Sequence, residues 1–480
     1  MPLVRVSPKD VLTLQDAFEG IHVFGGLGSG KTTGSGQTLA NAYLRAGFGG
    51  LVLTAKPDET ALWLRYCAEC GRSQSVVVFG PDQPWRFNFI DYEMRRPGRG
   101  GGIASNLVSL FQEVLEVHSP GKVLGGDPYW REARGQLLRN AIDLVRLARG
   151  RVQFEDVAAV IRSAPKRPQD QRDPNWRSNS FCAQLLAQAF EQTENTRSRK
   201  DIEDLKHIAH YFFDEFAPLD PEPRSSVISM VGALTDTLIR GDVRELFLTK
   251  TNVVPDMAAT GTIFIVDMPV HEYREAGRFV QVLFKTIFQR MAERRPDRSD
   301  SARPIFLWAD EAHYFSTGHD TTFQTTARSA RVATVYLSQN LPNYYDAFGG
   351  DDGGQNRAKK LLGAFGIKLF HANGDPDTNH YAESLIGKDI HWRESLADST
   401  SETLSAGTYS TTVGKTRTVN QVMDSVLQAR QITMALRGGS GRGWTEAFAF
   451  RAGEPWKATG SNVLPIRFPQ IPLDARGRPC

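Results

Sequence analysis

The stretch Ile21-His-Val-Phe24, followed by Gly25-Gly-Leu-Gly-Ser-Gly-Lys-Thr32, decides the fold of this chain. An apolar run leads into a loop of the pattern G-x-x-x-x-G-K-[ST], and a helical apolar pattern through Leu39 and Leu44 follows. Glycines let backbone N–H groups curl around phosphates, the lysine neutralises the β and γ charges, and the threonine hydroxyl binds Mg²⁺. The sequence therefore predicts a strand, a phosphate-binding loop and a helix, with ATP and Mg²⁺ as ligands. The predicted nucleotide-binding residues are Gly25, Gly26, Leu27, Gly28, Ser29, Gly30, Lys31, Thr32 and Thr33.

An acidic pair completes the pattern expected of a site that hydrolyses ATP. The apolar run Ile305 to Ala309 reads as a buried central strand and ends at Asp310 and Glu311. Asp310, with Thr32, is predicted to hold the metal, and Glu311 to polarise the attacking water. The alternative is a capped strand end with two surface acids.

Two further residues are candidates for catalysis beside Lys31 and Glu311. Gln339 follows a predicted strand, Thr334 to Leu337, and a strand-end amide at this place could sense the γ-phosphate; it could equally bind neighbouring backbone. Arg328, on a predicted short helix from Thr325 to Ala330, could reach the nucleotide of a neighbouring subunit, although arginines on such helices are usually just solvated. Arg331 is the alternative.

Strand and helix signals alternate on both sides of a purely helical middle segment. This alternation predicts a parallel α/β sheet that encloses an all-helical insertion in the sequence. We expect residues 1–92 and 255–480 to form one discontinuous nucleotide-binding domain and residues 93–254 to form the insertion. The predicted strands besides those named above are Gly50 to Ala55, Ser75 to Phe79, Gly261 to Asp267, Ile367 to Phe370, Gln431 to Leu436 and Thr445 to Phe450.

Three polar stretches predict solvated loops. Arg95 to Gly102 and Ala164 to Arg177 are rich in Arg, Gly, Pro and Asp. Ser399 to Thr418 is dominated by Ser, Thr and Gly, and we expect a flexible loop there.

Composition excludes several classes of protein. The 480 residues carry 57 Lys and Arg against 54 Asp and Glu, a net charge of +3, so any contact with nucleic acid must be a local patch. The longest apolar runs are of strand length and no signal-peptide pattern is present, so we expect a cytoplasmic protein without its own membrane span. Cys67 and Cys70 form a C-x-x-C without a second pair at zinc spacing, which favours ordinary thiols.

Taken in order, these motifs resemble the coupling-protein ATPases of type IV secretion and conjugative DNA transfer, within the HerA/FtsK superfamily of RecA-like P-loop motors. The glycine loop, the Asp310-Glu311 strand and the Gln339 strand carry the likeness, together with Leu361 to Phe370 and the following Ala372-Asn-Gly-Asp-Pro-Asp-Thr378. Asp127-Pro-Tyr-Trp130 is similar to the start of that family's all-alpha domain, although an Asp cap before a Pro is equally ordinary.

The resemblance implies a homo-oligomeric ring, a hexamer in this family, with ATP between protomers and sequence-independent DNA in a central channel. It strengthens Arg328 as the residue that reaches a neighbour's γ-phosphate, and we nominate His313 to Thr326 as a loop that tracks DNA; an ordinary surface loop is the alternative. Members that span the membrane place a helix pair ahead of the P-loop, whereas 20 residues precede Ile21 here. We therefore expect any attachment to the inner membrane to be made through a separate anchor partner, with secretion-channel or relaxosome proteins as further partners.

Two other functions fit parts of the sequence. One is a recruitment module for protein partners, in which ATP controls assembly through the helical domain. The other is a kinase on the same P-loop, which Glu311 disfavours because that residue suits activation of water.

Overall fold

The computed structural model of this protein describes residues 1–118, 128–196, 198–405, 407–438 and 442–470. The strands in these ranges are β1 (Pro2–Arg5), β2 (Val11–Thr13), β3 (Ile21–Phe24), β4 (Gly49–Leu53), β5 (Val76–Phe79), β6 (Ile263–Val266), β7 (Ile305–Ala309), β8 (Val332–Ser338), β9 (Ile367–His371), β10 (Lys388–Ser405), β11 (Thr408–Ser425), β12 (Trp444–Arg451) and β13 (Val463–Pro469). The helices are α1 (Leu14–Phe18), α2 (Gln37–Arg45), α3 (Glu59–Glu69), α4 (Phe89–Arg95), α5 (Ala104–His118), α6 (Pro128–Arg149), α7 (Phe154–Arg162), α8 (Pro174–Asn179), α9 (Phe181–Thr196), α10 (Arg199–His210), α11 (Pro221–Leu238), α12 (Gly241–Phe247), α13 (Val270–Arg294), α14 (Gly318–Ala327), α15 (Pro342–Ala347), α16 (Asp352–Gly363), α17 (Pro376–Ile386) and α18 (Ala429–Met434).

A nine-stranded sheet in the order β13-β12-β9-β3-β8-β7-β4-β6-β5 forms the centre of the molecule. The seven strands from β9 to β5 are parallel, and β12 runs antiparallel to both β9 and β13. The central strands β3, β4, β7 and β8 are buried along their whole length, which is why each reads as a continuous apolar run. The prediction of a mainly parallel α/β sheet is confirmed.

Helices cover both faces of this sheet. On one face α2 and α3 enclose a core in which Trp63 packs against Phe306 and Trp308 of β7. On the other face the buried side of α13 joins the sheet to the helices that follow β5. Because parallel strands end at a common edge, β3, β7, β8 and β9 present their carboxyl ends side by side.

Between β5 and β6 the described chain contains the helices α4 to α12 and short 3₁₀ or π turns joined by loops, and no strand. Helix α5 is tied to α13 by Arg290, whose guanidinium donates to Asn106 O at 2.8 Å and to Glu113 Oε1 at 2.8 Å. Of the family-like Asp127-Pro-Tyr-Trp130 stretch, Pro128 begins α6, and Asp127 lies outside the described residues.

Two predictions near the end of the chain are wrong. Ser399 to Thr418 is not a loop, because it forms the distal part of a two-stranded antiparallel ribbon made by β10 and β11. The stretch is rich in Thr, a β-branched residue that favours strands, and a strand pair exposed to solvent needs little apolar content. Gln431 to Leu436 is not a strand, because α18 begins after Gln428, whose capping box with Gln431 favours a helix there.

Three predictions in polar stretches are also wrong in part. Ala164 to Arg177 contains the 3₁₀ turn Pro168–Arg172 and the start of α8. His313 to Thr326 is mostly α14, with Phe315 and Phe323 buried in the core, so the expected loop is largely a helix. The short helix expected from Thr325 to Ala330 is the end of α14, which stops at Ala327.

No helix in the described ranges combines the length and the apolar character needed to cross a bilayer.

Candidate nucleotide-binding site

The glycine loop lies where three parallel strands end. The N–H of Gly25 donates to Ser338 O of β8 at 3.2 Å, and the N–H of Gly26 donates to Ala372 O, just after β9, at 3.0 Å. Leu27 at the tip of the loop is 83% exposed. The loop is therefore anchored at its base and open at its tip, as an entry point for phosphates requires.

Two glycines of the loop have backbone angles that other residues rarely adopt. The φ of Gly28 is +69° and that of Gly30 is +87°. These turns direct the chain into a π turn, Lys31–Gly36, and then into α2. The N-terminal end of this helical segment faces the loop, and its partial positive charge favours an anion there.

Glu311 is the centre of the site's charge network. Its Oε1 lies 3.4 Å from Lys31 Nζ and 3.7 Å from Lys56 Nζ, and it accepts a hydrogen bond from Gln339 Nε2 at 3.1 Å. Glu311 and Lys31 are both buried. The backbone of Glu311 has φ +50°, a conformation that costs energy in a non-glycine residue and recurs at functional sites.

Asp310 and Thr32 form the predicted metal pair. Thr32 Oγ1 donates to Asp310 Oδ2 at 2.7 Å, and Asp310 Oδ1 accepts from the N–H of Glu311 at 2.9 Å. A hydroxyl and a carboxylate side by side are the hard oxygen ligands that Mg²⁺ prefers. The residues present thus fit this metal.

Two buried oxygen atoms beside the loop have no hydrogen-bond partner among the described residues. They are Ser29 Oγ and Glu311 Oε2. Buried polar atoms are almost always satisfied in native proteins, so groups outside the chain are expected to complete this site. Glu311 Oε2 is the atom from which a water could be activated.

Lys56 adds a second cation that sequence reasoning missed. Burial opposes its charge, but the carboxylates of Asp310, Glu59 and Glu311 together raise the pKa of Lys56. Burial and Asp310 raise the pKa of Glu59, which accepts from the N–H of Ala55 at 2.7 Å. The signal available in the sequence was position, because Lys56 follows the end of β4.

His313 is neutral at physiological pH. Burial lowers the pKa of its imidazole to about 4, although Glu311, 3.7 Å away, acts in the opposite direction. Its Nδ1 lies 3.4 Å from Ser338 Oγ. His313 therefore shapes the pocket around Glu311 as an uncharged group.

The β12–β13 pair and the segment after β9 also contact the site, and the sequence analysis predicted neither contact. Thr445 Oγ1 donates to Ser29 O at 2.7 Å, and Gln470 Nε2 donates to Thr33 Oγ1 at 2.6 Å. Asn373 Nδ2 donates to Gln339 O at 2.8 Å. Gln339 thus connects Glu311 to the segment after β9, while Thr445 and Gln470 hold the back of the phosphate-binding loop.

Arg328 does not join this cluster within the same chain. It follows α14 ahead of β8, whereas Gln339 follows the other end of β8, and a strand of seven residues spans about 20 Å. Its guanidinium is 62% exposed, and Nη1 lies 3.7 Å from Glu19 Oε1. Arg328 therefore lies at the opposite edge of the sheet from Lys31.

Arg331 has a structural role. Its guanidinium donates to Ala302 O and to both the backbone and the carboxylate of Asp300, each at 3.1 Å, and it lies 5.2 Å from the ring centroid of Phe18. These contacts hold the turn before β8, so Arg328 is the arginine with an exposed guanidinium in this segment.

Comparison with protein families gives one match that spans most of the chain. Residues 6–423 match the family described as Type IV secretory system Conjugative DNA transfer. The chain belongs to this family. The resemblance stated from the motifs is thereby confirmed, and comparison with curated proteins gives no match.

Solved structures show the same fold in other conjugative proteins. The bacterial conjugative coupling protein TrwBdeltaN70, in its unbound monoclinic form, gives a TM-score of 0.61 at 15% identity, over 98% of this chain and 89% of that one. The plasmid coupling protein TrwB in complex with ADP and Mg²⁺ gives 0.61 at 13% identity over the same shares. TrwB in complex with the ATP analogue ADPNP gives 0.58 at 15% identity, again over 98% and 89%. At this level of identity the likeness concerns the fold.

The cysteine pair forms no disulfide in the structure. Cys67 is buried and burial raises the pKa of its thiol to about 12, while Cys70 is half-buried and unbridged. Among the described residues no group of three or more His, Cys, Asp or Glu side chains could hold a metal ion.

Proposed function

We propose that this member of the conjugative DNA-transfer family is an ATP-hydrolysing motor that couples nucleotide turnover to DNA movement. The observation that carries the proposal is the convergence of Lys31, Gln339 and Lys56 on the Glu311 carboxylate beside a phosphate-binding loop. A carboxylate held in this way can bind and orient a water for attack on a γ-phosphate.

The loop residues named from the sequence are proposed to hold ATP. Backbone N–H groups from Gly26 to Thr33 would bind the phosphates, Lys31 would leave Glu311 for the β and γ oxygens, and Thr32 and Asp310 would hold Mg²⁺. The metal, when bound, neutralises charge that develops on the phosphate oxygens. The structures of TrwB with ADP and Mg²⁺ and with ADPNP support this assignment.

Gln339 would convert the state of the nucleotide into motion. Its amide contacts Glu311, and its backbone carbonyl accepts from Asn373. Loss of the γ-phosphate would change the Gln339 contact and, through Asn373, the segment that leads into α17. This route joins the site to the last third of the chain.

Arg328 is proposed to act on the ATP of a neighbouring subunit in a homo-oligomeric, hexameric ring. Its exposure and its place at the sheet edge opposite Lys31 support action between subunits, because it cannot reach its own P-loop. DNA would occupy the ring without regard to base sequence. Secretion-channel or relaxosome proteins, and a separate membrane anchor, are the proposed partners.

We also propose two domains with the boundaries given above: residues 1–92 with 255–480 bind nucleotide, and residues 93–254 form the inserted all-helical domain. The support is that every described strand of the central sheet lies outside 93–254.

ATP turnover with added DNA tests this function. Turnover of the assembled protein should rise with duplex or single-stranded DNA of any sequence and fall as salt rises, with a log-log slope of DNA affinity of about −0.9 or −0.7 per phosphate contact, respectively. Lys31→Ala is the control without turnover. If turnover ignores both DNA forms while a protein partner stimulates it, the recruitment function replaces the motor.

A further inference from the structure

The ribbon of β10 and β11 is an amphipathic element with one apolar face. Each strand has 18 residues, so the ribbon extends about 60 Å. Its register pairs Lys388 with Ser425 at the base and runs without a bulge to Ser405 and Thr408. Its described residues between 388 and 402 and between 411 and 421 are exposed, apart from the half-exposed Gly414.

The register places the large exposed apolar side chains of the described part of the ribbon on one face. Trp392, 67% exposed, and Leu396, 76% exposed, are separated by even steps along β10 and therefore point to the same side. Among the side chains that the structure describes, the exposed apolar ones on this face are Ile390, Trp392, Leu396, Val413, Val419 and Met423. The other face carries mostly Ser, Thr and Asn.

An isolated two-stranded ribbon is marginally stable in water, and contiguous exposed apolar side chains mark an interaction surface. The apolar face of this ribbon therefore requires a cover.

The charges on the apolar face indicate which class of partner can bind there. Three basic and three acidic side chains lie among the apolar ones and cancel: Lys388, Lys415 and Arg417 against Glu394, Asp398 and Glu402. A face without net positive charge does not suit nucleic acid, and six charged groups do not suit the interior of a membrane.

We propose that the apolar face of the ribbon packs against the same face of a second copy of this chain. In this contact two ribbons lie antiparallel, with the base of one opposite the tip of the other. Lys388 of one copy then faces Glu402 of the other, and Glu394 of one copy lies at the same height along the ribbon as Arg417 of the other. In this twofold arrangement β10 faces β10 and β11 faces β11, so Met423 lies opposite Val413, and Trp392 lies opposite Asp398, next to Lys415 on the neighbouring strand. The Lys388–Glu402 pairs and the Met423–Val413 contacts occur at both ends of the alignment, which makes the ends of the face self-complementary in charge and in apolar character.

This contact is twofold, so it pairs chains two by two and differs from the head-to-tail contact that a ring requires. It is independent of the proposed ATPase function. The ribbon would link two protomers, or two rings, through elements that project from the edge of the sheet opposite the P-loop.

Sedimentation velocity of the full chain without nucleotide, over a range of concentrations at low salt, tests the proposal. Leu396→Glu, on the apolar face, should weaken self-association at least tenfold, since it buries an unpaired charge. Ala397→Glu adds the same charge to the next residue, on the polar face, and should leave association unchanged. Equal association of the two variants overturns the proposal.

A charge-reversal pair excludes a folding defect. Lys388→Glu and Glu402→Lys should each associate weakly alone, and an equimolar mixture should recover the parent's association, because each chain then meets its opposite charge at both ends. Failure of the mixture to recover overturns the antiparallel contact. Binding of the parent ribbon to lipid vesicles with the protein still monomeric would assign the face to membranes and overturn the proposal as well.

Discussion

Glu311 can release Lys31 without becoming an isolated buried charge. A buried carboxylate that loses its only partner is strongly destabilised. Lys56 Nζ at 3.7 Å and Gln339 Nε2 at 3.1 Å remain on the same oxygen when Lys31 turns to phosphate. The arrangement therefore allows Lys31 to move between Glu311 and nucleotide while Glu311 keeps two partners on the same oxygen.

Replacing Glu311 with Gln should separate binding from chemistry. Gln keeps the shape and one hydrogen-bond acceptor but cannot take a proton from water, so we expect ATP to bind while turnover falls about 100-fold or more. Single-turnover hydrolysis and nucleotide binding by fluorescence measure the two separately. Turnover equal to the parent's would place the base elsewhere.

The two lysines on Glu311 should differ in function although both contact the same oxygen. Lys31→Ala removes the cation of the phosphate-binding loop, so nucleotide binding should weaken and turnover should be lost. Lys56→Ala is the matched control, because Lys56 lies after β4 and not in the loop. The Lys56→Ala protein should bind ATP like the parent. Calorimetric titration with ADPNP distinguishes them; near-normal hydrolysis by folded Lys31→Ala would contradict the assignment.

Among single residues, the sequence predicts the roles of those whose spacing or position has a fixed chemical meaning. The loop, Asp310 and Glu311 could be named because their motif and strand end imply phosphate and metal chemistry. Lys56 had only its position after a strand as a signal, and Asn373 and Thr445 had none, because their roles depend on which strands become neighbours in the sheet.

The segment after Glu311 is held by a buried polar cluster centred on Asp320 at the start of α14. Lys285 Nζ pairs with Asp320 Oδ2 and also donates to Phe315 O at 2.7 Å. Tyr336 OH and Gln289 Nε2 donate to Asp320 Oδ1 at 2.8 and 2.7 Å. The cluster ties α13, β8 and α14 together and fixes the chain that leads away from Glu311.

Substitution of Asp320 should be severely destabilising. Asp320→Asn leaves Lys285 as an uncompensated buried charge, and we expect a loss of about 3–5 kcal/mol in the free energy of unfolding. The double variant with Lys285→Met should lose less than the sum of the single changes. Urea unfolding measures these differences; Asp300→Asn, at the exposed pair with Arg331, is the control and should change stability little.

The same cluster predicts a pH dependence. Burial alone would raise the pKa of Asp320, but Lys285 and the donors from Thr317 and Tyr336 lower it below its usual value. A carboxyl with a lowered folded-state pKa stabilises the protein above its unfolded-state pKa of about 3.9, and this stability is lost as the pH falls through the folded-state value. Parent stability should therefore fall more steeply below pH 4 than that of Asp320→Asn. Parallel curves in urea unfolding would contradict this.

The sequence predicted strands and helices well where a pattern of apolar residues determines them. It predicted them poorly where polar side chains determine them. The strands Ile21–Phe24 and Ile305–Ala309 have the predicted bounds because their burial demands apolar runs. The ribbon was missed because a strand pair solvated on both sides lacks a core signal. Helix α14 was missed because the Thr317 and Asp320 capping box and the partner of Asp320 on α13 stabilise it.

On the scale of the molecule, the order of the motifs predicted the parallel strands of the sheet but not the antiparallel strands that extend it beyond β9. The strand β12 enters antiparallel beside β9 and brings Thr445 to the phosphate-binding loop, a pairing between residues more than 70 positions apart. The short N-terminal pair β1 and β2 also lacked a signal, because each strand has four residues or fewer. Such contacts follow from tertiary packing, which local pattern does not determine.

The position of Arg328 makes the proposed ring testable through mixing. Arg328→Ala alone should bind ATP but hydrolyse it about 1000-fold more slowly, as when an arginine that stabilises the transition state is removed. Lys31→Ala alone should not bind ATP productively. When the two are mixed, some interfaces pair an intact P-loop with an intact arginine from the next subunit, so part of the activity should return. Arg331→Ala is not an equivalent partner, since Arg331 holds the turn at Asp300 and its loss should lower stability. Steady-state ATP turnover is measured across mixing ratios, and sedimentation shows whether the two variants co-assemble. If co-assembled protein recovers no activity, Arg328 does not act in catalysis between subunits.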